Sequence, residues 1–139
     1  LVLVEEYGTP KTPNDLLEHN CLLFSLSKPK NEWAFKQGKK QHIIHVSGNF
    51  QVNNGEALRE SLLAGIGIGR LPTFIAGRDI ERGSLIQVLS KYQMNQIPLY
   101  VIFPERNFLP LKVRVFVDFL VKYLSNNDPH WDNFTLSGV

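Results

Sequence analysis

One cysteine, Cys21, and one methionine, Met94, are all the sulfur that the 139 residues contain. A single thiol excludes an intrachain disulfide framework and any metal site built on paired thiolates, and it agrees with a reducing compartment. Long apolar runs are missing too. None approaches the ~18 residues of a membrane-spanning helix, and the start has neither the basic region nor the small-residue cleavage motif of a signal peptide. The expectation is a cytoplasmic chain without membrane association. Charge of one sign is also scarce: a formal net charge of +2 is too small to imply nucleic-acid binding, although Lys28, Lys30, Lys36, Lys39 and Lys40 cluster locally. Trp33 and Phe35 are interleaved with these lysines and could stack on bases. Their alternation more simply makes them the buried face of a strand whose charges stay in water.

What is present is an ordinary globular composition, 43% hydrophobic and 20% charged, enough to bury the core of one domain. Leu1 is not an initiator methionine and the opening Leu-Val-Leu-Val is already strand-like, so the numbering is expected to begin inside a larger architecture. Gly8 to Pro13 forms turns, and Asn14-Asp15 offers caps for a short helix through Leu16 to Glu18. A strand is expected at Cys21 to Phe24, then a hairpin of Trp33 to Lys36 and Gln41 to Val46 across Gly38. Asn53 as cap with Glu56 three residues on resembles a capping box. It opens an amphipathic helix with Ala57, Leu58, Ser61 and Leu62 inside, Glu56, Arg59 and Glu60 in solvent, and Gly65 ending it in a left-handed conformation. Ile66 to Gly69 reads as a compact buried strand, Phe74-Ile75 as a helical turn, and Asp79 to Gly83 as a turn. Ser84 to Leu89 and Leu99 to Phe103 read as strands, the latter apolar throughout and so central. Pro110 suits the first turn of a long helix through Leu124, whose apolar stripe of Val113, Phe116, Val117, Leu120 and Leu124 needs a sheet to lie on.

Catalytic chemistry finds little support. The glycines of Gly65-Ile66-Gly67-Ile68-Gly69 follow a helix instead of opening one, the reverse of a dinucleotide loop, so they read as packing glycines. His42 and His45 are three apart on a strand and point to opposite faces, which prevents shared metal ligation. His19 and Cys21 are two apart, but a nucleophilic thiol needs the imidazole within reach and a third orienting group, and a small buried hydrophobe is the plainer reading of Cys21. A small enzyme using this pair stays open as an alternative. Glu56, Glu60, Asp79 and Glu81 are explained as solvated helix and turn residues. Nothing calls for a metal or cofactor, and the chain is expected not to be an enzyme. What remains is a polar run, Gly48, Asn49, Gln51, Asn53, Asn54 and Gly55, leading into a helix N-terminus whose amides favour an anionic guest.

The order of motifs resembles a LysR-type transcriptional regulator. It runs from Gly8-Thr9-Pro10 with Pro13, Asp15-Leu16, His19-Asn20-Cys21-Leu22 and Trp33-Ala34-Phe35 to Asn54-Gly55-Glu56-Ala57-Leu58-Arg59. It continues through Leu63-Ala64-Gly65-Ile66-Gly67-Ile68, Leu71-Pro72, Asp79-Ile80, Phe103-Pro104, Leu109-Pro110 and Phe116-Val117-Asp118-Phe119-Leu120. The resemblance implies an α/β fold that is part of a two-subdomain effector domain similar to type 2 periplasmic binding proteins. Residues 1–97 would form the second subdomain, 98–125 would return a strand and the C-terminal helix to the first, and 126–139 would be a tail. The DNA-binding winged helix-turn-helix would lie upstream and is absent from this chain. The resemblance also implies a small organic effector, expected to be anionic, bound between the subdomains. Gly48, Asn49, Phe50, Asn53, Asn54, Gly55, Leu71 and Pro72 would supply the second subdomain's contacts. Effector binding would alter subunit packing and so transcription. A homodimer or homotetramer is the implied assembly, with DNA engaged through the upstream domain. The alternative is a solute-binding protein of a transport system, which shares the cleft.

Overall fold

Cys21, Leu22 and Leu23 are buried in succession, which places their strand, β2 (Cys21–Phe24), at the centre of the fold with both faces covered. The computed structural model describes residues 2–3, 8–94, 100–102 and 110–126. Four short strands join β2 in one sheet: β1 (Val2–Leu3), β5 (Gln51–Val52), β6 (Ile68–Gly69) and β7 (Ile86–Gln87), in the order β5-β2-β6-β1-β7. β5 and β6 flank β2 in parallel, with Leu23 opposite Gln51 and Cys21 opposite Ile68, while β1 runs antiparallel to β6 and β7.

The lysine-rich hairpin forms as its alternation requires. β3 (Glu32–Gln37) and β4 (Lys40–His45) pair in full register around Gly38, whose φ of +57° only glycine adopts freely, and β8 (Gln93–Met94) adds to the far side of β3. Trp33, Phe35, Ile44 and Val46 turn inward onto Cys21, Leu23 and Ile68, and the lysines stay in solvent. The opposite face of the main sheet is covered by two helices, α1 (Gly55–Leu63) and α2 (Thr73–Glu81), around Leu22, Leu58, Leu62, Ala76 and Leu85.

Several elements depart from the sequence reading for identifiable reasons. The helical turn at Phe74-Ile75 and the first three residues of the turn expected at Asp79 to Gly83 belong to one nine-residue helix, α2, and Arg82 and Gly83 remain a turn. Gly77 lowers local propensity by about 1 kcal/mol, but Ala76, Gly77 and Asp79 are buried, and packing outweighs propensity. The strand expected over Ser84 to Leu89 is confined to Ile86–Gln87, because the amides of Ser84 and Leu85 donate to the Asp79 carbonyl and Leu89, with a φ of +56°, leaves extended geometry. The stretch from Ile66 is strand only at Ile68–Gly69, with Ile66 exposed. The helix expected at Leu16 is a 3-10 helix, Pro13–Glu18, capped by Thr12 and not by Asn14.

Tyr100, Val101 and Ile102 are outside any strand and exposed, contrary to a central strand at Leu99 to Phe103, and no described strand offers them a ladder. Leu99 and Phe103 themselves lie outside the described residues, as do residues 127–139 of the expected tail. α3 (Leu111–Asn126) starts directly after Pro110 and extends two residues beyond Leu124. Val113, Val117, Leu120 and Leu124 are half-buried, whereas Phe116, expected on the same stripe, is exposed with Val115 and Phe119.

Candidate functional site

Both helices of the core begin at one edge of the sheet. β5 ends at Val52 and the chain passes through Asn53 and Asn54 into α1; β6 ends at Gly69 and passes through Arg70, Leu71 and Pro72 into α2. Because β5, β2 and β6 are parallel neighbours, both helix starts lie beyond the carboxyl ends of these strands, where open α/β sheets bind ligands. The starts touch each other: a Cβ added to Gly55 would come within 2.7 Å of Ile75 Cδ1.

Asn54, not Asn53, caps α1. Its Oδ1 accepts from the amides of Glu56 (2.8 Å) and Ala57 (3.1 Å), and its carbonyl accepts from Leu58, so no Asn53–Glu56 capping box forms. The amides that the sequence reading offered to an anion are thus largely taken by the chain itself. The start of α2 differs, since its cap residue Pro72 has no side chain able to accept from the first turn. Asn53 and Asn54 are exposed, and Gly55, Leu71 and Pro72 are half-buried. Leu26, just past β2, and Phe74, in the first turn of α2, are 67% and 65% exposed, so this edge presents apolar as well as polar surface.

Arg70 was not among the residues singled out from the sequence. It is half-buried, with Cζ 5.7 Å from the centre of the Trp33 ring, and burial pushes its guanidinium below the usual arginine value. The signal that could have found it is the alternation Ile68, Arg70, which puts a cation on the buried face of β6.

The eight expected contact residues do not form one group. Asn53, Asn54, Gly55, Leu71 and Pro72 gather at the edge just described. Gly48 and Asn49 lie at the opposite end of β2, a four-residue strand roughly 13 Å long. There Asn20 Nδ2 donates to Asn49 Oδ1 (2.9 Å) and to the Ile66 carbonyl (2.8 Å), and the Asn49 amide donates to Asn20 Oδ1 (2.9 Å). A Cβ on Gly48 would overlap the carbonyl oxygen of Cys21, and one on Gly67 that of Asn20, so both glycines serve close backbone packing. Phe50 packs toward Leu22, Leu58 and Leu62 on the helix side of the sheet.

Other candidates resolve on inspection. Asp79 is buried and bonded to Arg59, so neither is the solvated surface residue expected from the sequence. Cys21 Sγ lies 3.6 Å from the Leu16 carbonyl oxygen, and burial pushes its thiol up to about 12, the opposite of an activated nucleophile. His42 turns toward Tyr92 while His45 is exposed, consistent with their opposite faces. Among the described residues no group of three His, Cys, Asp or Glu could hold a metal ion, and no helix is long and apolar enough to cross a membrane.

The fold recurs in regulatory proteins. A structure of CrgA, a LysR-type transcriptional regulator from Neisseria meningitidis, superposes with a TM-score of 0.68 and 32% identity, covering 90% of this chain and 44% of that one. The full-length structure of the Vibrio cholerae virulence activator AphB gives a TM-score of 0.72 and 25% identity over 88% of this chain and 43% of AphB. In sequence, CrgA of N. meningitidis serogroup C is 35% identical over 123 residues, which is 88% of this chain and 41% of CrgA. Residues 2–125 match the LysR substrate binding domain, and the chain belongs to that family. It spans between 38% and 41% of the length of the first curated relatives it matches.

Proposed function

We propose that this chain is the effector-sensing part of a LysR-type DNA-binding transcriptional regulator acting in the cytoplasm, without catalytic activity of its own. Residues 1–97 act as the second subdomain, and the segment from 98 to 125 returns to a first subdomain that lies outside this chain. The observation that carries the reading is the convergence of the starts of α1 and α2 at the carboxyl edge of three parallel strands, in a chain of this family. The relatives named above are transcriptional regulators, which favours regulation over solute transport.

The effector is a small organic anion held between the subdomains, with Asn53, Asn54, Gly55, Leu71 and Pro72 forming this chain's side of the cleft. Gly48, Asn49 and Phe50 act as framework. Binding shifts the relative placement of the subdomains and the packing of a homodimer or homotetramer, which changes how upstream DNA-binding domains meet the operator. A thermal-shift screen of small carboxylates on the full-length regulator tests this, because a ligand that prefers the folded state raises the melting midpoint. Asn53→Ala and Asn54→Ala should weaken a hit; unchanged affinity in both would remove these side chains from the cleft.

A further inference from the structure

We infer that Arg70, held against the ring of Trp33 at the carboxyl end of β6, is the residue that reads the negative charge of the effector. The assignment rests on the cleft reading above and deepens it to a single side chain.

The contrast with Arg59 carries the argument. Arg59 is engaged by Asp79, Glu60 and Glu56, while among the described residues no carboxylate oxygen lies within 4.0 Å of Arg70. A half-buried guanidinium normally finds an anion, because lost hydration has to be replaced. Among the described residues the group recorded beside it is the Trp33 indole. The contact with Trp33 uses none of the guanidinium's N–H donors on a carboxylate, and among the described residues no carboxylate takes them. Trp33 is 2% exposed, so the ring beside the guanidinium is a fixed platform.

Position gives the second half of the argument. Leu22 is in register with Gly69, so Arg70 follows directly at the carboxyl end of β6, and on the other side of β2 the Leu23 and Ser25 amides bond to Phe50 and Val52, just before Asn53 and Asn54. Leu26 and Phe74, both largely exposed, belong to the same edge. A cation that no carboxylate among the described residues engages, beside exposed apolar side chains, fits a ligand with an apolar body and one carboxylate.

The test measures, on the full-length regulator, binding of benzoate and hexanoate against their uncharged amides, benzamide and hexanamide, by melting midpoint and calorimetry. The wild type should bind at least one of the acids and discriminate against its amide. Arg70→Gln should weaken the acid by roughly ten- to a hundredfold while leaving the amide unchanged, and Arg70→Lys should fall between. Acid binding unaltered by Arg70→Gln overturns the assignment but leaves the cleft standing. If neither acid binds the wild type, the assignment also fails, and the cleft then stands only if an amide binds and loses affinity in Asn53→Ala or Asn54→Ala. Equal weakening of acid and amide, or a lowered midpoint in Arg70→Gln restored by Arg70→Lys without acid discrimination, makes Arg70 a structural residue and overturns its reading role.

Discussion

Arg59 on α1 grips Asp79 on α2 through two parallel hydrogen bonds, from Nε to Oδ2 and from Nη2 to Oδ1 at 2.8 Å. The Asp79 side chain is 5% exposed and that of Arg59 is 24% exposed, whereas Glu56 and Glu60, which also approach Arg59, stand largely in water. The fork therefore fixes two helices whose starts form the candidate cleft. Removing one partner strands a desolvated charge: Arg59→Met should cost about 2–4 kcal/mol. Glu60→Gln, an exposed pair, should cost less than about 1 kcal/mol. Replacing both partners, Arg59→Met with Asp79→Leu, should recover part of the loss. Urea denaturation midpoints check the series, and equal midpoints for Arg59→Met and Glu60→Gln would refute the structural role of the pair.

Why was this pair hidden in the sequence? Spacing puts Arg59 on α1, though on its solvent face, and Asp79 reads as part of a turn because the helix around Gly77 depends on tertiary packing. The hairpin was legible because period-two alternation at Trp33, Phe35, Ile44 and Val46 is a local signal. The site was legible only as a region. Helix starts can be read from Asn, Gly and Pro, yet the opposite placements of Asn49 and Asn54 follow from strand direction, which no local pattern states. Arg70 needed the three-dimensional neighbour Trp33 to acquire meaning.

Asp15 supplies a pH-dependent clamp at the 3-10 helix. Its carboxylate accepts from the Thr12 hydroxyl (2.7 Å), the Lys11 amide (2.8 Å) and the Thr12 amide (3.0 Å), and these bonds, the hydroxyl's first, hold its pKa below the usual carboxylate value. A depressed folded pKa contributes stability that is present above the unfolded value, about 3.9, and lost as pH falls through the folded one. Asp15→Asn should therefore flatten the lowest part of the acid limb of stability against pH. Denaturation midpoints from neutral pH down to about pH 2 read the effect, and an acid limb identical to wild type would contradict it.

Cys21 should behave as an inert thiol. Burial pushes it up to about 12, so at neutral pH it is protonated and unreactive in the folded chain. Alkylation by iodoacetamide at about pH 8 should be undetectable in the native protein and rapid once guanidinium unfolds it. The linkage has a definite sign: the unfolded thiol loses its proton from about pH 8.5 upward while the folded one keeps it, so the thiol's contribution to stability falls as pH rises between these values. Native-state labelling at the rate of an unfolded control would show the thiol to be accessible and the burial argument wrong.

α3 carries more apolar surface than the chain around it covers. Val115, Phe116 and Phe119 are 58%, 59% and 59% exposed, and Phe119 stacks on Tyr123 one turn on, with ring centres 5.9 Å apart. A helix apolar on several sides is ordinarily buried, and contiguous apolar patches of this kind are uncommon on soluble monomers. This 139-residue chain should accordingly associate with rising concentration and enhance the fluorescence of an apolar dye. Phe116→Glu with Phe119→Glu replaces two neighbours at i and i+3 on the exposed side without touching Val113, Val117 or Leu120, so helix content should persist while dye binding and association fall. Sedimentation and far-ultraviolet circular dichroism separate these effects. In the full-length regulator, where the first subdomain would cover α3, the same double substitution should instead lower the melting midpoint, because two buried aromatics are replaced by charges.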